Sequence, residues 1–225
     1  FGGGGIVDLK LQLGVELDPG TAPIGASSPP IVVNDVVIVG AAFTFSGAPA
    51  SAEALKGKVT AYDVNTGELR WRFNTIPGER ESGSASWGVD SAGYTGNAGV
   101  WAPMSADPEL GYVYLPVEAP TSDYYGGHRP GDNLYGQSLV CLDASTGKRV
   151  WHFQTVHHPI WDYDLPAPPV LFDITVEGIE IPAVAQITKQ GLTFVFDRRT
   201  GEPVWPIDEV AVAQSDVPGE QTAAT

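Results

Sequence analysis

The chain has 225 residues, of which 43% are hydrophobic and 17% charged, a composition normal for a globular domain with a sizeable core. The net charge of −15 at pH 7 argues against nucleic-acid binding and against docking on anionic lipid, because both require a basic surface. A single cysteine, Cys141 in a strand-like run, excludes an internal disulfide and is expected to be buried.

The predicted elements are strands along most of the chain. With 27 glycines and 19 prolines among many aromatic residues, the composition indicates numerous turns between aromatic-rich strands. No stretch repeats its apolar residues every 3.6 positions, so we expect almost no helix, and no apolar window is long enough to span a membrane. The strand-like runs are 30–39, 111–115 and 181–187.

Three segments align without gaps, and each reads as a strand, an Asp-x-x-Thr-Gly turn, a second strand and a tryptophan. The aspartate can accept hydrogen bonds from turn amides, and the glycine supplies the positive φ of a tight hairpin. We expect the tryptophans to pack between sheets and to touch no ligand. The three copies are Asp63, Gly67 and Trp71; Asp143, Gly147 and Trp151; and Asp197, Gly201 and Trp205.

The spacing of these copies predicts the blades of an all-β propeller, which typically repeat every 40–50 residues or so. The first interval is longer than the second, so it holds either one blade with a long insertion or two blades with one degenerate copy. We favour an insertion between Trp71 and Trp101, which we expect to be a functional loop over the ring mouth. The predicted blades are 28–75, 98–155 and 165–207, and residues 1–27 carry the end of a preceding blade. Three to four blades cannot easily close a ring, so we expect a piece of a longer protein.

The segment 157–164 collects two imidazoles, an indole and two carboxylates, and Lys189 follows at a strand end. A carboxylate that takes a proton and a cation that stabilises charge on oxygen are the protein groups that oxidation of an alcohol by an electron acceptor requires. Asp162 is the predicted base, and we expect Asp164 to point away from the site and to be structural. No further His or Cys follows the His157–His158 pair at ligand spacing, so zinc is disfavoured; one imidazole should hydrogen-bond and the other pack.

Together these motifs resemble the quinoprotein dehydrogenases, eight-bladed propellers that hold pyrroloquinoline quinone (PQQ) on the central axis. The repeat looks like their tryptophan-docking motif, and the segments 99–107 and 110–116 are similar to the region whose tryptophan lies under the PQQ ring. Segment 129–133 resembles a motif of the alcohol branch. Segment 157–169, with Lys189 and its neighbours, looks most like the membrane-bound glucose dehydrogenase branch.

The resemblance implies roles for individual residues. Asp162 would be the active-site carboxylate, either a general base or a partner bridged to one by Ca²⁺. Lys189 would lie beside the quinone carbonyls, Trp101 would stack on the cofactor, and Thr121 would be a polar residue near metal and quinone. Three of these residues have a structural alternative. Asp162 could be a turn carboxylate, Lys189 a surface cation and Trp101 part of the packed core.

The resemblance also implies a divalent cation, most simply Ca²⁺, but the sequence departs from the family's ligand pattern. Ala119 stands where the alcohol branch supplies a ligand asparagine, and 42–46 lacks the Asp-Asn pair of the glucose branch. Asp162 is a possible metal ligand. Glu118 is a weaker possibility, and either Glu118 or Thr121 could compensate for the missing ligands.

The function implied is a PQQ-dependent dehydrogenase of a sugar or alcohol, which passes electrons to a membrane quinone or a cytochrome in the periplasm, with or without a membrane anchor. The alternative is a non-catalytic propeller that uses the same repeats as an assembly scaffold. A third possibility is a quinoprotein-like fold that has adopted another cofactor. Without its missing blades the chain is expected to be inactive, because an open propeller exposes edge strands and lacks part of the site.

Overall fold

The computed structural model describes residues 1–14, 24–43 and 48–225, and the regular structure of these residues is almost entirely β. Helical structure in the described ranges is limited to the short 3₁₀ turns Lys10–Gln12, Ser84–Ser86 and Ser91–Tyr94, none of which could cross a membrane. The described strands are, in chain order, β1 (Ile24–Gly25), β2 (Ile31–Val33), β3 (Val36–Gly40), β4 (Ala42–Phe43), β5 (Lys58–Asp63), β6 (Leu69–Asn74), β7 (Ser105–Asp107), β8 (Tyr112–Val117), β9 (Ser138–Asp143), β10 (Arg149–Gln154), β11 (Val170–Val176), β12 (Ile179–Ile187) and β13 (Thr193–Asp197).

These strands form three antiparallel meanders in the orders β2-β3-β5-β6, β7-β8-β9-β10 and β11-β12-β13, and β1 pairs with β4 beside them. The first strands of the meanders contact one another in turn, β2 with β7 and β7 with β11. The three sheets therefore fan out from a common inner edge, which is the arrangement of propeller blades. Each meander lies inside one of the predicted ranges 28–75, 98–155 and 165–207.

Strand β9 shows how neighbouring sheets share their apolar faces. Val140 and Leu142 belong to the core between the first and second sheets, whereas Leu139 and Cys141 belong to the core between the second and third. Successive side chains of a strand point to opposite faces, so the continuous apolar run supplies both layers. Cys141 is fully buried, as the sequence predicts, and this burial raises the pKa of its thiol.

The repeat motif joins one sheet to the next. Trp71 is buried, and its indole Nε1 donates to the carbonyl of Ala144 at 2.8 Å, in the turn of the second sheet. A Cβ added to Gly147 of that turn would lie 2.5 Å from the Trp71 ring. Trp151 lies against Gly201 in the same way, again at 2.5 Å. Each of these positions therefore requires glycine for two reasons: its φ is positive, and an indole ring approaches too closely for a side chain.

The two ends of the repeat series differ from this pattern. Residues 1–7 pack on the first turn, where a Cβ on Gly67 would lie 2.8 Å from Val7. Trp205 is 48% exposed, contrary to the expectation that it packs between sheets, because no described sheet follows β13 to cover it. The strand predicted before Trp205 is reduced to one isolated bridge between Phe196 and Pro203, so the third meander has three strands within residues 48–225.

The long insertion adds no described strand between β6 and β7, and it consists of loops with the 3₁₀ turns Ser84–Ser86 and Ser91–Tyr94. Trp87 in this insertion is buried, and its Nε1 donates to the carbonyl of Leu134 at 2.6 Å. Its neighbour Tyr94 is half exposed. The insertion is thus anchored to the second sheet's own loop, while its role in covering the ring mouth stays a prediction.

Replacing Gly147 with alanine should destabilise the protein more than the same change at Gly178. Both residues have positive φ, +69° and +82°, so both variants carry the strain of a left-handed residue. Only Gly147→Ala also drives a methyl group into Trp71, whereas nothing lies within 4 Å of the Gly178 position. We expect an extra loss of about 1–3 kcal/mol in the free energy of unfolding, measured by denaturant titration. Equal losses would show that the indole contact adds nothing.

Candidate active site

Three chain segments bring Trp101, Asp162, Asp164 and Lys189 together. Trp101 precedes β7 and the two aspartates precede β11, so they lie where the inner strands of two sheets begin. Lys189 follows β12, and its ammonium reaches both carboxylates, with Nζ 2.9 Å from Asp162 Oδ1 and 3.4 Å from Asp164 Oδ2. The indole Nε1 of Trp101 donates to Asp164 Oδ2 at 3.1 Å. The three residues that the sequence singles out are therefore neighbours, joined through Asp164.

Asp162 is the accessible carboxylate of the cluster. Its side chain is 30% exposed, its Oδ1 accepts from Lys189, and the phenol of Tyr124 donates to its Oδ2 at 3.4 Å. The residue has a φ of +53°, a left-handed conformation that costs a non-glycine residue about 1–3 kcal/mol unless its surroundings hold it. A carboxylate that is held closely on one oxygen, only by a long hydrogen bond on the other, and still partly exposed is suited to accept a proton from a bound hydroxyl.

Asp164 does not point away, so that expectation from the sequence is wrong. Its side chain is 9% exposed, and its Oδ1 accepts the backbone amide of Ala119 at 2.8 Å. Residues i and i+2 share a face of an extended chain, so an Asp-x-Asp spacing places both carboxylates on one side. Burial raises the pKa of Asp164, while hydrogen bonds from Ala119 and Trp101 and the charge of Lys189 oppose that rise. Asp164 is the anchor that fixes Trp101 and Lys189.

Lys189 is held as a cation. Burial alone would lower the pKa of its ammonium group, but the hydrogen bond to Asp162 and the charge of Asp164 raise the pKa above its ordinary value. Its side chain keeps 33% exposure, so a ligand can reach it. A positive charge that persists at neutral pH and faces open space is positioned to stabilise an anionic ligand or developing negative charge on an oxygen.

Glu118 lies inside the protein rather than at the surface of the site. It is 6% exposed, and its Oε1 finds no hydrogen-bond partner in the described part of the chain. A Cβ on Gly99 would lie 2.7 Å from this oxygen, so the carboxyl lies against the segment that leads to Trp101. Burial, followed by the charge of Asp164, raises the pKa of Glu118 to about 8. A carboxyl that is neutral at pH 7 makes a poor ligand for a hard cation.

The raised pKa of Glu118 predicts a pH-dependent stability. A carboxyl whose pKa is higher in the folded state favours folding below its unfolded pKa of about 4.5, and this contribution is lost as pH rises through 8. Glu118→Gln keeps the shape but cannot ionise. We expect the variant to gain about 1–3 kcal/mol on wild type between pH 5 and pH 9, measured by denaturant titration at both values. A constant difference would show that Glu118 ionises normally.

Thr121 has structural contacts. It is 3% exposed, and its hydroxyl oxygen accepts the amide of Gly96 at 2.8 Å, while its carbonyl accepts from Arg129 Nε at 3.0 Å. These bonds fix the loop that follows β8 beside the cluster. A contact between Thr121 and a cofactor stays a prediction.

Arg129 is a fully buried cation that ties two loops together. Its guanidinium donates to the carbonyls of Thr121, Ser122 and Pro159 and to Asn133 Oδ1. Burial lowers the pKa of Arg129 to about 10. The 129–133 motif therefore fixes the site loops from inside the protein.

Both histidines of the predicted pair form hydrogen bonds, where the sequence led us to expect one. His157 Nδ1 lies 3.3 Å from Gln154 Oε1, and its Nε2 lies 3.5 Å from the exposed Glu209. His158 Nε2 lies 2.9 Å from Glu220 Oε1, and both of these side chains are buried. No motif pointed to Glu220, which lies far along the chain.

The part of the chain that the structure describes contains no complete metal site. Among the described residues, no three His, Cys, Asp or Glu side chains converge as a group that could hold an ion. Residues 44–46 of the segment that lacks the Asp-Asn pair lie outside the described residues. Asp162 can supply one ligand, so a bound cation would need its remaining ligands from elsewhere.

Comparison with known proteins gives one consistent result. The family model described as PQQ, glucose/ethanol/alcohol dehydrogenase β-propeller domain, matches residues 1–225. The quinoprotein glucose dehydrogenase of Escherichia coli K12 is 37% identical over 229 residues, covering 100% of this chain and 27% of that protein. The chain thus spans about a quarter of that relative's length.

Solved structures agree with the sequence matches. The quinohemoprotein alcohol dehydrogenase of Pseudomonas putida HK5 superposes with a TM-score of 0.70 at 32% identity, over 79% of this chain and 27% of that one. The quinohemoprotein alcohol dehydrogenase of Comamonas testosteroni gives a TM-score of 0.71 at 27% identity, over 90% of this chain and 31% of that one. Both structures are therefore similar in fold to the three antiparallel sheets of this chain.

Proposed function

The chain belongs to the PQQ family of glucose, ethanol and alcohol dehydrogenase β-propeller domains, and from this we propose that it forms part of a PQQ-dependent dehydrogenase. The substrate would be a sugar or alcohol, oxidised at a hydroxyl group. The observation that carries the proposal is the placement of Lys189 between Asp162 and Asp164, with Trp101 bound to Asp164. A scaffold would need the repeats but would have no use for this cluster.

The residues fit PQQ by their chemistry. PQQ is a flat, anionic ring system, and when bound it supplies the electron-accepting quinone. The partly exposed indole of Trp101 can stack on such a ring, which contributes about 0.5–1.5 kcal/mol beyond buried area. The ammonium of Lys189 is a fixed donor for an anionic oxygen. Because Asp164 binds both groups, their relative position is set before any ligand arrives.

Asp162 would act as the base. Its Oδ1 is held by Lys189 at 2.9 Å, whereas the hydrogen bond from Tyr124 to its Oδ2 is long, at 3.4 Å. Oδ2 would therefore be the atom that takes the proton of the substrate hydroxyl. A positioned general base of this kind contributes about 10²–10⁴-fold in rate. The hydrogen bond from Lys189 holds this carboxylate in place.

A divalent cation such as Ca²⁺ remains part of the proposal only through Asp162. The described residues do not form a complete ligand set for such a cation. We propose that the chain works within a longer protein whose other blades complete the ring and the site. The periplasm as the compartment and a membrane quinone or cytochrome as the electron acceptor belong to the same proposal.

The test is reconstitution of the full-length protein that contains this chain with PQQ, in the presence of Ca²⁺ or Mg²⁺. Dye-linked oxidation of a panel of sugars and primary alcohols should then depend on added PQQ and identify the substrate class. Oxidation that proceeds equally without PQQ, or no oxidation of any compound despite bound PQQ, would contradict the proposed function.

A further inference from the structure

Glu220 is a buried carboxylate that joins three distant parts of the chain. Its side chain is 2% exposed, although it lies in the C-terminal segment. Its Oε1 lies 2.9 Å from His158 Nε2, within hydrogen-bond distance, and its Oε2 accepts a hydrogen bond from the backbone amide of Gly126. We call the contact set of Glu220, His158 and Gly126 the Glu220 bridge.

Both loops held by the Glu220 bridge reach Asp162. His158 begins the turn that carries Asp162 four residues later. Gly126 ends the short run in which Tyr124 donates its hydroxyl to Asp162 Oδ2 at 3.4 Å. One carboxylate thus fixes both the backbone under the proposed base and the phenol beside that base, on the face of Asp162 that Lys189 does not hold.

The residues around the Glu220 bridge are closely packed. A Cβ on Gly126 would lie 2.4 Å from His158 Nε2, so only glycine allows the amide to approach the carboxylate. The imidazole is fixed on its other side, where His158 Nδ1 lies 2.8 Å from the carbonyl of Gly131. The C-terminal segment makes a second contact to the same loop, since the hydroxyl of Tyr125 donates to the carbonyl of Pro218 at 3.3 Å.

The backbone between the bridge and the base needs such support. His158 and Asp162 both adopt left-handed conformations, with φ of +45° and +53°. Residues in this region persist when surrounding contacts over-determine them, and they concentrate at functional sites. The bridge supplies these contacts at one end of the turn, and Lys189 supplies them at the other.

We infer that Glu220 is a positioning residue for the proposed dehydrogenation, acting on Asp162 through His158 and through the Tyr124–Gly126 run. This inference rests on the proposed function. Glu220 touches neither Lys189 nor Trp101 in the described contacts, so it should affect proton transfer at Asp162 and leave the cofactor contacts unchanged. If Glu220 had only a general structural role, its loss would weaken proton transfer at Asp162 and the cofactor contacts together.

The experiment compares Glu220→Ala and Glu220→Gln with Glu209→Ala in the full-length protein. Glu209 is the matched control, because it is also a C-terminal carboxylate facing a histidine, His157, but is 64% exposed. Hydrogen exchange is read first, on the protein without cofactor. In Glu220→Ala the amides of 124–127 and 157–164 should exchange about 10-fold faster or more, whereas the control should match wild type.

Kinetics of the reconstituted variants then test the positioning role. We expect Glu220→Ala to lower kcat about 10–100-fold with the Kd for PQQ unchanged, because a displacement of about 1 Å at a reacting group costs rate rather than cofactor affinity. Glu220→Gln keeps one acceptor oxygen and should fall between Glu220→Ala and wild type. If Glu220→Ala does not fold, the same measurements on Glu220→Gln test the inference.

Two results would overturn the inference. Exchange that accelerates only in the C-terminal segment would show that the bridge does not hold the site loops, and a kcat that falls only together with PQQ affinity would show a general structural role. A wild-type protein without PQQ-dependent oxidation would instead remove the proposed function and the catalytic part of this inference, while the exchange data would still report on the bridge.

Discussion

Replacing Asp162 with asparagine is expected to lower kcat by about 10²–10⁴-fold in the reconstituted full-length protein, with PQQ affinity near the wild-type value. The amide oxygen can still accept the hydrogen bond that Lys189 Nζ donates at 2.9 Å, so the cluster keeps its shape. It cannot take a proton from the substrate hydroxyl, so the loss falls on the chemical step. Dye-linked steady-state kinetics at saturating PQQ measure the effect.

The matched control is Glu180→Gln, which removes the same charge from an exposed position on β12. This variant should keep the wild-type kcat, because the carboxylate is remote from the cluster. If Asp162→Asn retained kcat within about threefold of wild type, a range too small for loss of a general base, Asp162 would be a turn carboxylate.

Replacing Lys189 with methionine should affect both the cofactor and the rate. The two carboxylates of Asp162 and Asp164 would lose the cation that lies within 3.4 Å of each, and the partly buried Asp164 would keep its hydrogen bonds but lose its counter-charge. We expect a weaker Kd for PQQ and a kcat lower by about 10²–10³-fold, the usual cost of removing a preorganised electrostatic donor. Titration with PQQ and steady-state kinetics measure the two effects separately.

Two further variants define the role of the charge. Lys189→Arg keeps the cation but changes its shape, so partial activity is expected. Lys148→Met removes an exposed lysine in the turn after β9 and should match wild type. Unchanged PQQ affinity in Lys189→Met would contradict a cofactor contact by this lysine.

The repeat and the fold could be predicted from the sequence because their signals are local. The turn of each copy is completed within a few residues, as where Asp63 Oδ1 accepts the amides of Asn65 and Thr66 at 2.9 and 2.8 Å. Three such turns at propeller-like spacing define sheets whose alternating residues pack on both sides. The sequence paired Asp162 with Lys189 by their chemistry, and the resemblance added Trp101. In the structure Lys189 contacts Asp162 directly, and Trp101 is joined to both through Asp164.

The supporting residues could not be predicted because their contacts are long-range. Asp164 binds Trp101 and Ala119 from far along the chain, and Glu220 reaches back to Gly126. Of these supporting residues, only Asp164 could have been predicted from the sequence, because its spacing of two from Asp162 places both side chains on one face of an extended chain. Burial of Glu118, which decides its ionisation, depends on how three segments pack and has no local signature.

The most direct test of the central claim, that the Trp101–Asp164–Lys189–Asp162 cluster is a PQQ site, is a binding titration. PQQ is added to the cofactor-free full-length protein, wild type and Lys189→Met, with Ca²⁺ present, and quenching of tryptophan fluorescence is followed. The account predicts saturable binding to wild type with a Kd of about 1 μM or tighter, and clearly weaker binding to the variant. Identical binding to both proteins, or no binding at micromolar PQQ with either Ca²⁺ or Mg²⁺, would contradict it.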